Sequence, residues 1–185
     1  MRKTLVAFAL VAVACSKPSA PDAAPKPATS GGATIEVPAS DLADGAPAPQ
    51  IAMTLQSGKT LRLAELAGKN VAVYFYPKDE TPGCTLEAQQ LRDSFDELKK
   101  ADVTVIGVSS QDADSHKKFI EKEKLPFDLA IDADGSIAKA FGVPRILGYH
   151  ARQTFLIGKD GRVKKAWRKV KPEGHAQEIL DAAKG

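Results

Sequence analysis

The run YFYPKDETPGCTLEAQQLRD, residues 74–93, restricts the possible folds more than any other stretch of the chain. Residues 71–76 form an unbroken apolar segment, as a strand buried on both faces does, and Pro77 ends it. Thr81 suits a helix N-cap, and Pro82 suits the first helical position, where its missing N–H would be unpaired in any case. The pattern predicts strand, loop, helix. Gly83 and Cys84 fall on the second and third helical positions, so free backbone N–H groups and the positive end of the helix dipole face the sulfur. Cys84, Ala88, Leu91, Phe95 and Leu98 then recur at helical spacing, which places the cysteine on the face that packs against the sheet. Such a sulfur is covered and reached through a narrow mouth.

These residues carry a family resemblance. Pro77, Thr81 and Cys84 match the P-x-x-x-T-x-x-C signature of the peroxiredoxins, and TPGCTLEA is similar to their peroxiredoxin Q (bacterioferritin comigratory protein) branch. Arg152-Gln153-Thr154-Phe155 resembles the family's R-x-T-F strand, which carries the active-site arginine. The resemblance runs from Gly45 to the C-terminus. It implies a thioredoxin-like α/β fold, with a central mixed sheet flanked by helices. It also implies a thiol-dependent peroxidase that acts on hydrogen peroxide or a small organic hydroperoxide without a cofactor. Cys84, Thr81 and Arg152 take the catalytic positions, Pro77 and Gly83 line the pocket, and Glu87 orients the loop or the arginine. As an isolated helical glutamate, Glu87 would face solvent.

A cysteine is ordinarily a small core residue whose packing is unremarkable. A helix N-terminus, a neighbouring hydroxyl and an arginine supply the electropositive setting that a reactive thiol needs. Lowering a cysteine pKa from about 8.5 to about 6 takes roughly 3.4 kcal/mol, of which a helix terminus provides about 2 at most. A fixed cation is needed as well, and Arg152 is the candidate. That shift multiplies the thiolate at pH 7 about thirtyfold, but a Brønsted slope near 0.4–0.5 removes about tenfold in nucleophilicity. Most of the acceleration therefore has to come from stabilising the transition state, as sulfur attacks one peroxide oxygen and charge grows on the other. The N–H groups of Gly83 and Cys84, the Thr81 hydroxyl and the Arg152 guanidinium are the groups for that work.

The remaining chain sets the context. Of the 185 residues, 26% are charged and 43% hydrophobic, ordinary for a globular protein. The formal charge is +3, two of it from Arg2 and Lys3, which gives no sign of a nucleic-acid partner. Arg2 and Lys3 precede an apolar run, residues 5–14, too short to span a bilayer, and Cys15 follows directly. That order resembles a bacterial lipoprotein signal, with residues 1–14 cleaved, Cys15 lipidated and the domain anchored in the cell envelope facing the periplasm. Membrane contact is then through the N-terminal lipid alone. Ala12 stands where leucine is usual, and Ala12-Val13-Ala14 also fits an ordinary cleavage site that would leave a soluble periplasmic protein. Residues 15–44, rich in proline and alanine, read as a tether, and residues 45–185 as the domain.

Within the domain, strands are expected at residues 53–55, 60–63, 70–76, 103–109, 128–131, 154–157 and 163–168. Helices are expected at 82–100, 113–124, 136–141 and 175–183. Asp132-Ala133-Asp134-Gly135 lacks the remaining ligands of a calcium loop and reads as a turn capping the next helix. His116, His150 and His175 lack metal-ligand spacing and are expected on the surface; no metal is implied. Residues 159–171 are basic and read as a solvated hairpin, and Trp167 as a packing residue. Many relatives in the branch carry a second, resolving cysteine five residues after the nucleophile, where this chain has Gln89. A one-cysteine cycle, with an external thiol as reductant, follows from that arithmetic. A thiol–disulfide exchanger or copper chaperone would need a second nearby cysteine, and a redox-sensing lipoprotein would keep Cys84 but turn over slowly.

Overall fold

The computed structural model describes residues 42–185. The expected signal segment, Cys15 and the expected tether up to residue 41 lie outside the described residues. Along the described chain run β1 (Ala52–Leu55), β2 (Thr60–Arg62), a 3-10 turn (Leu63–Leu66), β3 (Asn70–Phe75), α1 (Pro82–Asp93), α2 (Phe95–Lys100) and β4 (Val103–Ser109). Then follow α3 (Ala113–Glu123), β5 (Asp128–Ile131), α4 (Ser136–Ala140), β6 (Arg145–Ile146), β7 (Tyr149–His150), β8 (Gln153–Ile157), β9 (Val163–Trp167) and α5 (His175–Lys184). Seven strands form one mixed sheet in the order β2-β1-β5-β4-β3-β8-β9. β3, β4 and β5 are parallel, and the outer pairings are antiparallel. This is the thioredoxin-like α/β architecture.

β3 is buried along its whole length because the sheet is covered on both sides. Val71, Val73 and Phe75 enter a core with Phe141 and Phe155, while Ala72, Tyr74 and Tyr76 enter the opposite one with Cys84, Leu91 and Ile179. Each large side chain so buried is worth about 1.5–3 kcal/mol. Tyr74 needs a particular neighbour: Gly107 pairs with it on β4, and a Cβ at Gly107 would come within 2.8 Å of the Tyr74 ring and 2.5 Å of Leu129. Only glycine leaves the ring its place.

Several expectations need correction. The helix expected over 82–100 breaks at Ser94 (φ −93°, ψ 5°), with neither proline nor glycine there to announce it. The end of the expected tether packs on the domain: Leu42 is buried, its carbonyl accepts from Arg168, and the Asp44 carboxylate accepts from the Ala166 N–H. The histidines are not on the surface. His116, His150 and His175 are 0%, 2% and 1% exposed, each beside a carboxylate that offsets part of the cost of burial. The ribbon of β6 and β7 is also unforeseen, since two-residue strands are too short for a periodicity to register. Its turn places Leu147 and Gly148 at φ 51° and 84° and leaves Ile146 and Leu147 well exposed.

Other readings hold. The Asp132 carboxylate caps α4, accepting from the Ile137 and Ala138 N–H groups at 2.9 Å. Trp167 packs edge-on against His175 with ring centres 5.3 Å apart. In the basic stretch, Lys159 and Lys165 pair at the surface with Asp102 and Asp44.

Candidate active site

β3 ends at Phe75, and the loop from Tyr76 to Thr81 carries the chain from the carboxyl end of this interior strand into α1. Thr81 has the extended backbone of an N-cap (φ −78°, ψ 148°), and its carbonyl accepts the first helical bond from the Thr85 N–H. Its hydroxyl does not cap. It donates instead to the Lys78 carbonyl at 3.1 Å, closing the loop on itself. Pro82 takes the first helical position as expected, and the N–H groups of Gly83 and Cys84 lie in the first turn, beyond the reach of any carbonyl of the helix.

Cys84 is 2% exposed in the first turn of α1, and its sulfur meets Arg152, which lies between β7 and β8. Arg152 Nη2 donates to Cys84 Sγ at 3.2 Å, and Nη1 donates to Glu87 one turn further along α1. The fork of one guanidinium thus grips both the sulfur and the carboxylate. Glu87 is 1% exposed, not in solvent. Burial pushes its carboxyl up to about 7 despite the pull of Arg152 in the other direction. The geometry agrees with that direction, because Oε1 of Glu87 is buried without a hydrogen-bond partner. Burial would lower the Arg152 pKa, but the charges of Glu87 and Cys84 outweigh it and raise it, so the cation is secure.

Gly83 stands at the mouth. A Cβ there would sit 3.4 Å from Arg152 Nη2 and 3.9 Å from Pro172. Pro172 is a lining residue that no sequence motif announced. Pro77 is half-buried within the loop and makes no side-chain hydrogen bond. On the far side of Arg152, Thr154 is held by His175, whose Nε2 lies 2.8 Å from the Thr154 hydroxyl and whose Nδ1 lies 2.8 Å from Glu178. Burial, and to a smaller extent the Arg152 charge, lowers the His175 pKa below its ordinary value. His150, two residues before Arg152, has Nε2 2.9 Å from Asp132 but outside hydrogen-bond angles, and packs edge-on to Phe75. Neither of its ring nitrogens makes a hydrogen bond to Cys84, Arg152 or Glu87. A cavity of about 550 Å³ is lined in part by Asn70, Lys159, Arg162 and Lys164 at the other end of β3 and shares no residue with this site.

Comparison with known proteins decides the family. The AhpC/TSA family model matches residues 45–166, across the cysteine loop and the arginine strand. The chain belongs to that family, as a peroxiredoxin of the Q/Bcp branch. This peroxiredoxin is 42% identical to the peroxiredoxin Bcp of Bacillus subtilis over 148 residues, 76% of this chain and 94% of that one. Among solved structures it is similar to the Xanthomonas campestris bacterioferritin comigratory protein, studied for its alkyl peroxide reduction activity: 37% identity, TM-score 0.69, 72% of this chain and 90% of that one. It is likewise similar to the Mycobacterium tuberculosis peroxidoxin BcpB, with 30% identity, TM-score 0.72, and 77% and 97% coverage. The peroxiredoxin is therefore an enzyme, an oxidoreductase acting on peroxide with a thiol.

Proposed function

We propose that this enzyme reduces hydrogen peroxide and small organic hydroperoxides by a one-cysteine cycle at Cys84. The observation that carries the reading is the 3.2 Å contact between Arg152 Nη2 and a buried Cys84 Sγ at a helix N-terminus. The thiolate attacks the terminal oxygen of ROOH, an S–O bond forms, and the O–O pair leaves on the distal oxygen as alkoxide or hydroxide. Water supplies its proton, and Cys84 is left as sulfenic acid. Charge moves from sulfur to the leaving oxygen, so the guanidinium and the N–H groups of Gly83 and Cys84 stabilise the transition state more than the ground state. The Thr81 hydroxyl, its proton committed to Lys78, offers lone pairs to the peroxide hydrogen. The alkyl peroxide activity of the Xanthomonas relative supports the organic substrates.

Gln89 supports the external reductant. Where a resolving sulfur would stand, its amide donates to Glu123 at 2.8 Å, tying α1 to α3. A thiol of another molecule then attacks the sulfenic acid, releasing water as the mixed disulfide forms, and a second thiol frees Cys84. Arg2, Lys3, the apolar run to Ala14, and Cys15 support a lipid-anchored protein of the cell envelope. Intact mass of membrane-extracted protein tests both proposals: lipid on Cys15, and one added oxygen on Cys84 after equimolar peroxide. Peroxide consumption that survives Cys84→Ser refutes the catalytic reading.

A further inference from the structure

Beneath the nucleophile loop lies a buried polar cluster that the reaction leaves unused. Asp79, the fourth residue of that loop, is 4% exposed and bonds to side chains other than Cys84's polar partners. Its carboxylate accepts from Tyr76 Oη at 2.7 Å, from Ser115 Oγ at 2.6 Å and from His116 Nδ1 at 2.9 Å. Burial alone would raise the Asp79 pKa, but the hydrogen bonds from His116, Ser115 and Tyr76, with the histidine's charge, hold it below the ordinary value. The other ring nitrogen of His116 lies 3.3 Å from the Ala130 carbonyl. Each ring nitrogen of His116 thus has a buried oxygen partner, one on the loop and one on β5.

The next residue shows what the pair holds in place. Glu80 sits at φ 60°, an uncommon conformation for a non-glycine residue, which costs of order 1 kcal/mol and persists only where its surroundings over-determine it. α3 grips both neighbours, with Ser115 and His116 on Asp79 and Lys122 on Glu80 at 3.0 Å. We propose that His116, acting through Asp79, is a positioning residue for the peroxidase reaction: it sets the loop that aims Thr81 and the first turn of α1 at the peroxide. This rests on the proposed role of Cys84.

The test compares His116→Gln, Asp79→Asn, their double variant and Ser115→Ala with the parent. Met53→Ala, buried on the opposite face of the sheet, controls for lost stability. In His116→Gln, amide exchange of the peptide spanning residues 79–88 is expected to rise at least tenfold while that of α5 stays unchanged. The rate with peroxide divided by the rate with iodoacetamide is expected to fall about tenfold or more in both single variants, no further in the double, and severalfold in Ser115→Ala. The ratio removes mere access to the sulfur, and Met53→Ala should leave it alone. Unchanged exchange in the loop, a parental ratio in every variant that folds, or an equal fall in Met53→Ala would overturn the inference. A parent that consumes no peroxide would refute the role of Cys84 instead, and the exchange measurement would still decide the positioning role.

Discussion

The two sides of this active site are held in opposite ways. The cysteine side arrives through a loop whose Asp79 carboxylate takes three side-chain donors and whose Glu80 is clasped by Lys122. The arginine side arrives through a ribbon of two-residue strands with Ile146 and Leu147 standing in solvent. In the proposed reaction Cys84 attacks, and the loop before it fixes its approach. The guanidinium has two partners on α1, Cys84 and Glu87, and is aligned by them on arrival. Position on one side comes from the loop, and on the other from the destination.

If that contrast is right, the largest loss should come from the arginine itself, not from its ribbon. Arg152→Ala is expected to lower the second-order rate with peroxide about a hundredfold, as loss of one transition-state donor does. Arg152→Lys should recover only part of it, because an ammonium cannot serve the sulfur and Glu87 as a fork. Stopped-flow kinetics at one pH reads both.

Glu87 joins the two sides, and its signature is in pH. Its carboxyl is raised from 4.5 when exposed to about 7 when folded, so the stability it lends is complete below 4.5 and is lost as pH rises through 7. Denaturant titrations of parent and Glu87→Gln should show the parent losing about 3 kcal/mol relative to the variant between those limits. A flat difference would place the carboxyl elsewhere. Smaller still is Gly107→Ala, which displaces the Tyr74 ring beneath the cysteine side and should cost about 1–3 kcal/mol of stability. At the ribbon, Leu147→Asn suits the left-handed turn better and should leave stability within about 1 kcal/mol of the parent or raise it, with an unchanged rate. A large kinetic effect at Leu147 would break the comparison.

The legible parts of the chain were those where local chemistry and the global fold coincide. The apolar run from Val71, the Thr81-Pro82 helix start and the heptad-like return of Ala88 and Leu91 each specify their element without outside help. Arg152 was found only through the motif that surrounds it; nothing local says that a residue after a short ribbon meets a cysteine on another element. The histidines failed for a related reason. Burial of His116 depends on Asp79, thirty-seven positions away, and no pattern within α3 reports that partner. Glu87 fell between the cases, since its helical position alone pointed to solvent and the motif alone pointed to Arg152.

The 2% exposure of Cys84 gives the two halves of the cycle different gatekeepers. In the proposed reaction an oxidant of a few atoms needs only a narrow approach to the sulfur, beside Gly83 and Arg152. In the proposed cycle a protein reductant, far broader than a peroxide, meets the same 2% exposure of that sulfur. Under that proposal oxidation answers to the concentration of peroxide, while recovery answers to how much of Cys84 a larger molecule can reach.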